Sequence, residues 1–275
     1  MTANIDSNWH LAATARWTAS ARAQESARED HLFYDPWAAA LAGPEGMAWL
    51  EQRGGSVASM VIRTRFFDDF LIAAAQTGIR QVIILAAGLD TRAYRLPWPA
   101  SVRVFEVDQA AVLADKAGIL AAAGAQPACE RLVVPADLTA DWQSGLASSG
   151  FQPGQPSAWL LEGILFYLPE AFIPRLLAQV SELAAPGSRI GFDVMNSLTF
   201  VSPLTRPWVE MQASLGAPWI GAVDDPEKLL LDLGWQPALT APGAPDANYE
   251  RWKLPVIPVR MPGMPHSWYV TGQKC

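Results

Sequence analysis

The hydrophobic positions along the chain change their spacing near residue 80. Before that point they recur at helical intervals. "LAATARWTASARAQESARED" (11–30) sets alanines among spaced charges. "DPWAAALAG" (35–43) opens on an Asp-Pro helix entry and stops at Gly43-Pro44. "SVASMVIRTRFFDDFLIAAAQTG" (56–78) is a long amphipathic pattern closed by Gly78. This is more helix than a tail needs. It predicts a helical N-terminal extension or lid over residues 1–80, set against a core spanning 81–275.

From residue 81 the pattern alternates. "QVIILAA" (81–87), "VRVFEVD" (102–108), "RLVVPADL" (131–138), "AWLLEGILFYL" (158–168) and "SRIGFDVM" (188–195) are near-continuous apolar runs, each a strand with its exit. Between them "QAAVLADKAGILAAAG" (109–124) and "EAFIPRLLAQVSELAAPG" (170–187) read as helices, with Pro174 near the start of the second. Strands apolar on both sides, separated by helices, predict an α/β fold with a mostly parallel sheet covered on two faces. Residues 196–225, rich in Pro, Trp and Gly, break the alternation and read as a cap insertion. "DDPEKLLLDLGW" (224–235) returns as a capped helix, and "HSWYVTGQ" (266–273) reads as a last strand.

Composition narrows the partners. The 275 residues are 51% hydrophobic and carry a net charge of −7 with no basic run, which argues against nucleic acid and leaves small molecules and proteins. Two cysteines, Cys129 and Cys275, in no C-x-x-C, read as free thiols of a reducing compartment. No secretory signal and no apolar run of roughly 18 residues is visible, so a cytoplasmic protein is expected. Three histidines offer little to a metal ion, and none is expected. Twelve tryptophans either fill the core or line a pocket for a flat or apolar ligand; Trp208 and Trp219, in the insertion, are the pocket candidates.

In open parallel sheets ligands lie at the carboxyl ends of the strands. At those ends stand Gly88 and Asp90, Glu106 and Asp108, Asp137 and Leu138, Glu162, and Asp193. Gly88 and Asp108 lie twenty residues apart, the spacing at which a small residue admits a nucleoside and an acid accepts from ribose hydroxyls. That suits NAD or S-adenosylmethionine. A dinucleotide asks for G-x-G-x-x-G around its pyrophosphate, and "AAGLDTR" has one glycine followed by an acid. S-adenosylmethionine has no phosphate, and its sulfonium and ammonium groups suit a site lined with carboxylates. Asp90 is read as a helix cap, and Asp108 could also cap the helix starting at Gln109. Tyr249-x-x-x-Lys253 has the spacing of a dehydrogenase pair, but it lies beside Pro255 in a stretch that does not read as helix.

"RTRFFDDFL" (63–71), "AAGLDTRAYRL" (86–96), "FEVDQ" (105–109), "ADL" (136–138) and "EGILFYLPE" (162–170), in this order, resemble the leucine carboxyl methyltransferase family, in particular its bacterial, actinomycete branch of S-adenosylmethionine-dependent methyltransferases. The resemblance spans about residues 15–195. It implies a class I, Rossmann-like methyltransferase fold of seven strands, the last antiparallel. It also implies cofactor roles: Arg63 at the methionine carboxylate with Arg22 beside it, Gly88 under the cofactor, Asp108 on the ribose, Asp137 and Leu138 at the adenine, and Glu162 at the methionine end. The family often has a further glycine where this chain has Ala86-Ala87, and little family pattern is recognisable beyond 196.

Methyl transfer from a sulfonium is an in-line displacement in which positioning counts for most. Tyr167 and Asp193 are the candidate catalytic side chains; His31 and His266 are weaker candidates for a base. The expected reaction is O-methylation, on carboxyl or hydroxyl oxygen, of a small apolar metabolite of natural-product biosynthesis. The alternatives are C-methylation of a terpenoid or indole-like acceptor, an NAD-dependent oxidoreductase, and a cofactor-binding partner subunit without turnover. A homo-oligomer is compatible with all of these.

Overall fold

The computed structural model describes residues 7–52 and 57–275, with side chains from residue 14 onward. Each apolar run of the core becomes a strand: β1 (Gln81–Leu85), β2 (Arg103–Asp108), β3 (Glu130–Pro135), β4 (Ser157–Leu161) and β5 (Arg189–Met195), followed by β6 (Trp235–Thr240) and β7 (Ser267–Lys274). They form one seven-stranded sheet in the order β3-β2-β1-β4-β5-β7-β6. The first five are parallel, and β7 runs antiparallel to both neighbours. The strand order turns back between β1 and β4, where a crevice opens at the carboxyl edge.

The two-residue period of the strands divides the core. Ile83 and Leu85 of β1 point to one face, with Phe105, Trp159, Leu176 and Val180. Val82 and Ile84 point to the other, where Ile62, Phe67 and Leu71 pack on them. The latter belong to α3 (Ala58–Gln76), so this helix is part of the sheet's covering layer. Ahead of it, α1 (Ser7–Ser26) and α2 (Ala38–Gln52) form a layer of their own around Trp17 and Trp49, whose rings stack at 5.1 Å. The expected stop at Gly43-Pro44 is a break: Gly43 leaves helical geometry at φ 60°, ψ −175°, and a second helical stretch runs on to Gln52.

The remaining helices are α4 (Arg92–Arg95), α5 (Ala110–Ala122), α6 (Trp142–Ser148), α7 (Ile173–Leu183), α8 (Leu198–Val201), α9 (Arg206–Ser214) and α10 (Pro226–Asp232). Pro174 sits in the first turn of α7, where its missing N–H costs nothing. The insertion expected at 196–225 contains α8 and α9. β6 is the strand that the hydrophobic pattern does not reveal. It carries Pro237 and a mixed burial pattern, both tolerated because it lies at the sheet edge. No helix among the described residues is long and apolar enough to cross a membrane.

Candidate functional site

A cavity of about 1250 Å³ opens at the carboxyl ends of β1, β2, β4 and β5. All nine side chains expected at the site line it: Arg22, Arg63, Gly88, Asp108, Asp137, Leu138, Glu162, Tyr167 and Asp193. α1 adds Thr14, Trp17 and Thr18 to the wall, and the segment between β6 and β7 adds Arg251, Trp252 and Leu254.

The turn after β1 explains the missing glycines. Ala86 adopts φ +53° and Gly88 φ +44°, so the chain takes two left-handed steps and only one falls on glycine. The Gly88 N–H donates to Asp108 Oδ2 at 2.6 Å, and the Gln109 N–H donates to Oδ1 at 2.6 Å. Asp108 thereby joins the exits of β1 and β2, and burial pushes its carboxyl pKa up. Asp90 accepts from the Arg92 N–H at 2.7 Å and pairs with the Arg92 guanidinium; it stands one residue ahead of the N-cap, Thr91, so it braces the start of α4 without being its cap.

Across the crevice, Arg63 is gripped from two strands. Its Nε donates to Glu162 Oε1 at 3.0 Å and its Nη1 to Asp193 Oδ2 at 2.9 Å. Burial alone would weaken its protonation, but Asp193 and Glu162 more than offset this and hold it firmly charged. Gly163, at φ +72°, completes the grip. Its N–H donates to Asp193 Oδ1 at 2.6 Å, and a β-carbon there would meet Arg63 Nη2 at 3.3 Å. Both oxygens of Asp193 are therefore engaged, and burial raises its pKa.

The chain of charges continues along the cavity wall, with Asp68 and Asp35 behind it. Glu162 Oε2 lies 2.7 Å from Arg92 Nη2, Arg92 Nε donates to Asp68 at 2.7 Å, and Arg95 donates to the same Asp68 at 2.6 Å. Arg95 reaches toward Asp35 at 3.9 Å, and Asp35 accepts from Arg22 Nε at 2.8 Å and from the Thr91 hydroxyl at 2.6 Å. Arg22 Nη2 donates to the Leu89 carbonyl at 2.7 Å, tying α1 to the β1 turn. With Asp90, this network joins four guanidiniums to five carboxylates, a net charge of −1. Arg92, Asp68 and Asp35 escaped the sequence reading; "DTRAYR" gives two arginines three apart, but nothing in the sequence says that they turn inward.

Asp137 is exposed at the exit of β3, with the Thr139 N–H and hydroxyl both on Oδ1, and Leu138 beside it is half-buried. The Tyr167 hydroxyl, in the turn Leu165–Tyr167 after β4, accepts from Gln212 Nε2 at 3.2 Å, and burial pushes its phenol pKa up. Trp208 and Trp219 both line the cavity. His31 is exposed against the Arg28 carbonyl, whereas His266 lines the cavity with Nε2 at the Met261 carbonyl. Tyr249 lies in a non-helical turn at φ +49° and bonds Asp69, so it forms no helical pair with Lys253.

The chain matches the leucine carboxyl methyltransferase family over residues 15–181. It belongs to that family. A Mycobacterium tuberculosis protein, provisionally named an S-adenosyl-L-methionine-dependent methyltransferase, is 35% identical over 300 aligned positions, covering 96% of this chain and 97% of its own. Similarly named proteins of Frankia alni (40% identity, 82% of each chain) and Parafrankia (49%, 66% of this chain and 62% of that one) also match. Solved structures with the same fold include a Streptomyces avermitilis protein at TM-score 0.63 and 15% identity, over 95% of this chain and 97% of that one. Another is a magnesium protoporphyrin IX methyltransferase of Synechocystis with bound S-adenosylhomocysteine, at TM-score 0.50 and 12% identity, over 79% and 83%. The fold is that of the class I methyltransferases, and this family member is a methyltransferase that uses S-adenosyl-L-methionine.

The site fits that cofactor. A ligand with two positive groups and one carboxylate carries a net +1, opposite to the −1 of the network. At Gly88 a β-carbon would touch Ala15 of α1 at 3.7 Å, so the absence of a side chain keeps the turn free where α1 and the β1 exit meet at the cavity.

Proposed function

We propose that this chain transfers the methyl group of S-adenosyl-L-methionine to an oxygen atom of a small, largely apolar metabolite in natural-product biosynthesis. The observation that carries the choice of oxygen is the occupancy of the acids. Glu162 and Asp193 are both committed to Arg63, and Asp193 also accepts from Gly163, so neither stands ready as a base. An acceptor that arrives ionised, such as a carboxylate or an acidic phenol, needs none. Trp17, Trp49, Phe166, Trp208 and Trp219 on the cavity wall suit an apolar body.

When bound, the cofactor supplies a methyl group on a sulfonium centre that departs as a neutral thioether. Asp108 would hold the ribose, Gly88 would let the backbone approach it, and Asp137 and Leu138 would meet the adenine, Asp137 accepting through Oδ2. Arg63 and Arg22 supply the positive charge for the methionine carboxylate, and Glu162 the negative charge for its ammonium. Asp193 orients Arg63 and takes no proton. Tyr167 places a hydroxyl where the acceptor enters. With little charge to stabilise, the gain comes from alignment, which can be worth roughly 7–11 kcal/mol. α1 and α2 would close over the cofactor, since α1 contributes Thr14, Thr18 and Arg22 to the wall and α2 contributes Trp49. The free thiols Cys129 and Cys275 fit work in the cytoplasm, as a monomer or homo-oligomer.

Calorimetric titration with S-adenosylhomocysteine tests the cofactor site: binding in the wild type, and its loss in Asp108→Ala, is expected. Incubation with methyl-labelled cofactor and a panel of aromatic carboxylates and phenols tests the acceptor. Label recovered only on carbon would overturn O-methylation.

A further inference from the structure

We infer that the acceptor is an amphiphile, with an oxygen-bearing head against the Tyr167–Gln212 pair and an apolar tail leaving the cavity along α9 between Leu204, Trp208 and Leu254. This rests on the methyl-transfer reading and names its substrate class.

The inference starts from one helix face. Leu204, just ahead of α9, and Trp208, Met211 and Gln212 follow at intervals of four, seven and eight residues, which places them on one side of the helix. All four line the cavity. Along this face exposure falls from 63% at Leu204 and 51% at Trp208 to 7% at Gln212. Polarity changes in the opposite sense to an ordinary surface helix: the solvent end is apolar and the buried end is an amide. That amide donates to the Tyr167 hydroxyl, which lies in the field of Arg63 and Asp193. The polar end of the channel is therefore the methionine end of the cofactor site.

In the segment between β6 and β7, Leu254 is 54% exposed and lines the same cavity. Three large apolar side chains that line this one cavity thus stand more than half in water, the signature of a surface meant to be covered. Continuity with the cavity selects what covers it, because the occupant touches the lip and the interior alike. Room is available as well. At about 1250 Å³ the cavity exceeds the roughly 300–1000 Å³ of a pocket for one drug-sized molecule, so a cofactor leaves space for a second body.

The test uses saturated alkanoic acids from hexanoic to tetradecanoic, titrated calorimetrically into the full chain with and without saturating S-adenosylhomocysteine. Each methylene that enters the lip should tighten binding by roughly two- to fourfold, with a plateau once the tail reaches water. Trp208→Ala should flatten the series for the longer acids while S-adenosylhomocysteine affinity is unchanged. Leu254→Ser should do the same. Affinity independent of chain length, or a length dependence that survives both substitutions, would overturn the inference. So would a dimer in sedimentation that Trp208→Asp dissolves, which would give the lip to a second copy. Failure to bind S-adenosylhomocysteine alongside an intact length series would instead refute the methyl-transfer reading and leave the tail channel standing.

Discussion

Replacing Asp193 by asparagine separates positioning from proton transfer. Asparagine can still accept from the Gly163 N–H, but it offers Arg63 no charge, and that guanidinium keeps Glu162 as its cavity-side partner. Removing one member of a buried pair costs about 3–5 kcal/mol. Two terms reduce this here: Glu162 still holds Arg63, and the burial that raises the Asp193 pKa no longer penalises a charge. A loss of about 2–3 kcal/mol remains, which for a chain of this size lowers the Tm by roughly 5–10 °C. The loosened Arg63 should also weaken S-adenosylhomocysteine binding. Thermal melts and calorimetry read the two effects separately. A base lost at this position would behave differently: turnover would collapse while S-adenosylhomocysteine affinity held. An unchanged Tm, with unchanged S-adenosylhomocysteine affinity, would refute the reasoning.

Asp108 gives a pH signature. Burial raises its pKa above the ordinary 3.8, so the folded chain holds this proton more tightly than the unfolded one. Its contribution is fully present below the unfolded value and is lost as pH rises through the folded one. Urea unfolding of Asp108→Asn against wild type from pH 3.5 to 7 should show the variant gaining relative stability as pH rises; a difference that does not change with pH refutes it. At Ala86, a left-handed alanine costs roughly 1–2 kcal/mol and glycine's extra unfolded freedom returns about 0.4–1 of it. Ala86→Gly should therefore stabilise by roughly half a kcal/mol to one kcal/mol in denaturant titrations, and a loss of stability would show that the alanine methyl packs to advantage.

What could be read from the sequence was what repeats or clusters locally. β1, β2, β4 and β5 announce themselves because strands buried on both faces leave near-unbroken apolar runs, β3 by the short run "LVV" although it lies at a sheet edge with Val133 exposed, and β7 because "SWYVTGQ" is dense in β-forming residues. β6 stays silent because an edge strand needs neither a full apolar run nor every N–H, and so accommodates Pro237. The acids at the strand ends were visible because the fold brings all carboxyl ends to one edge. Their pairing was not. Arg63 meets Asp193 across 130 positions, and Arg251 meets Glu25 across 226, separations at which no local rule links two side chains. The same limit applies to Asp193. A carboxylate in an apolar strand stands out as expensive, which marks it as functional. Whether it takes a proton or holds an arginine depends on which helix lies over it, and α3 supplies the arginine.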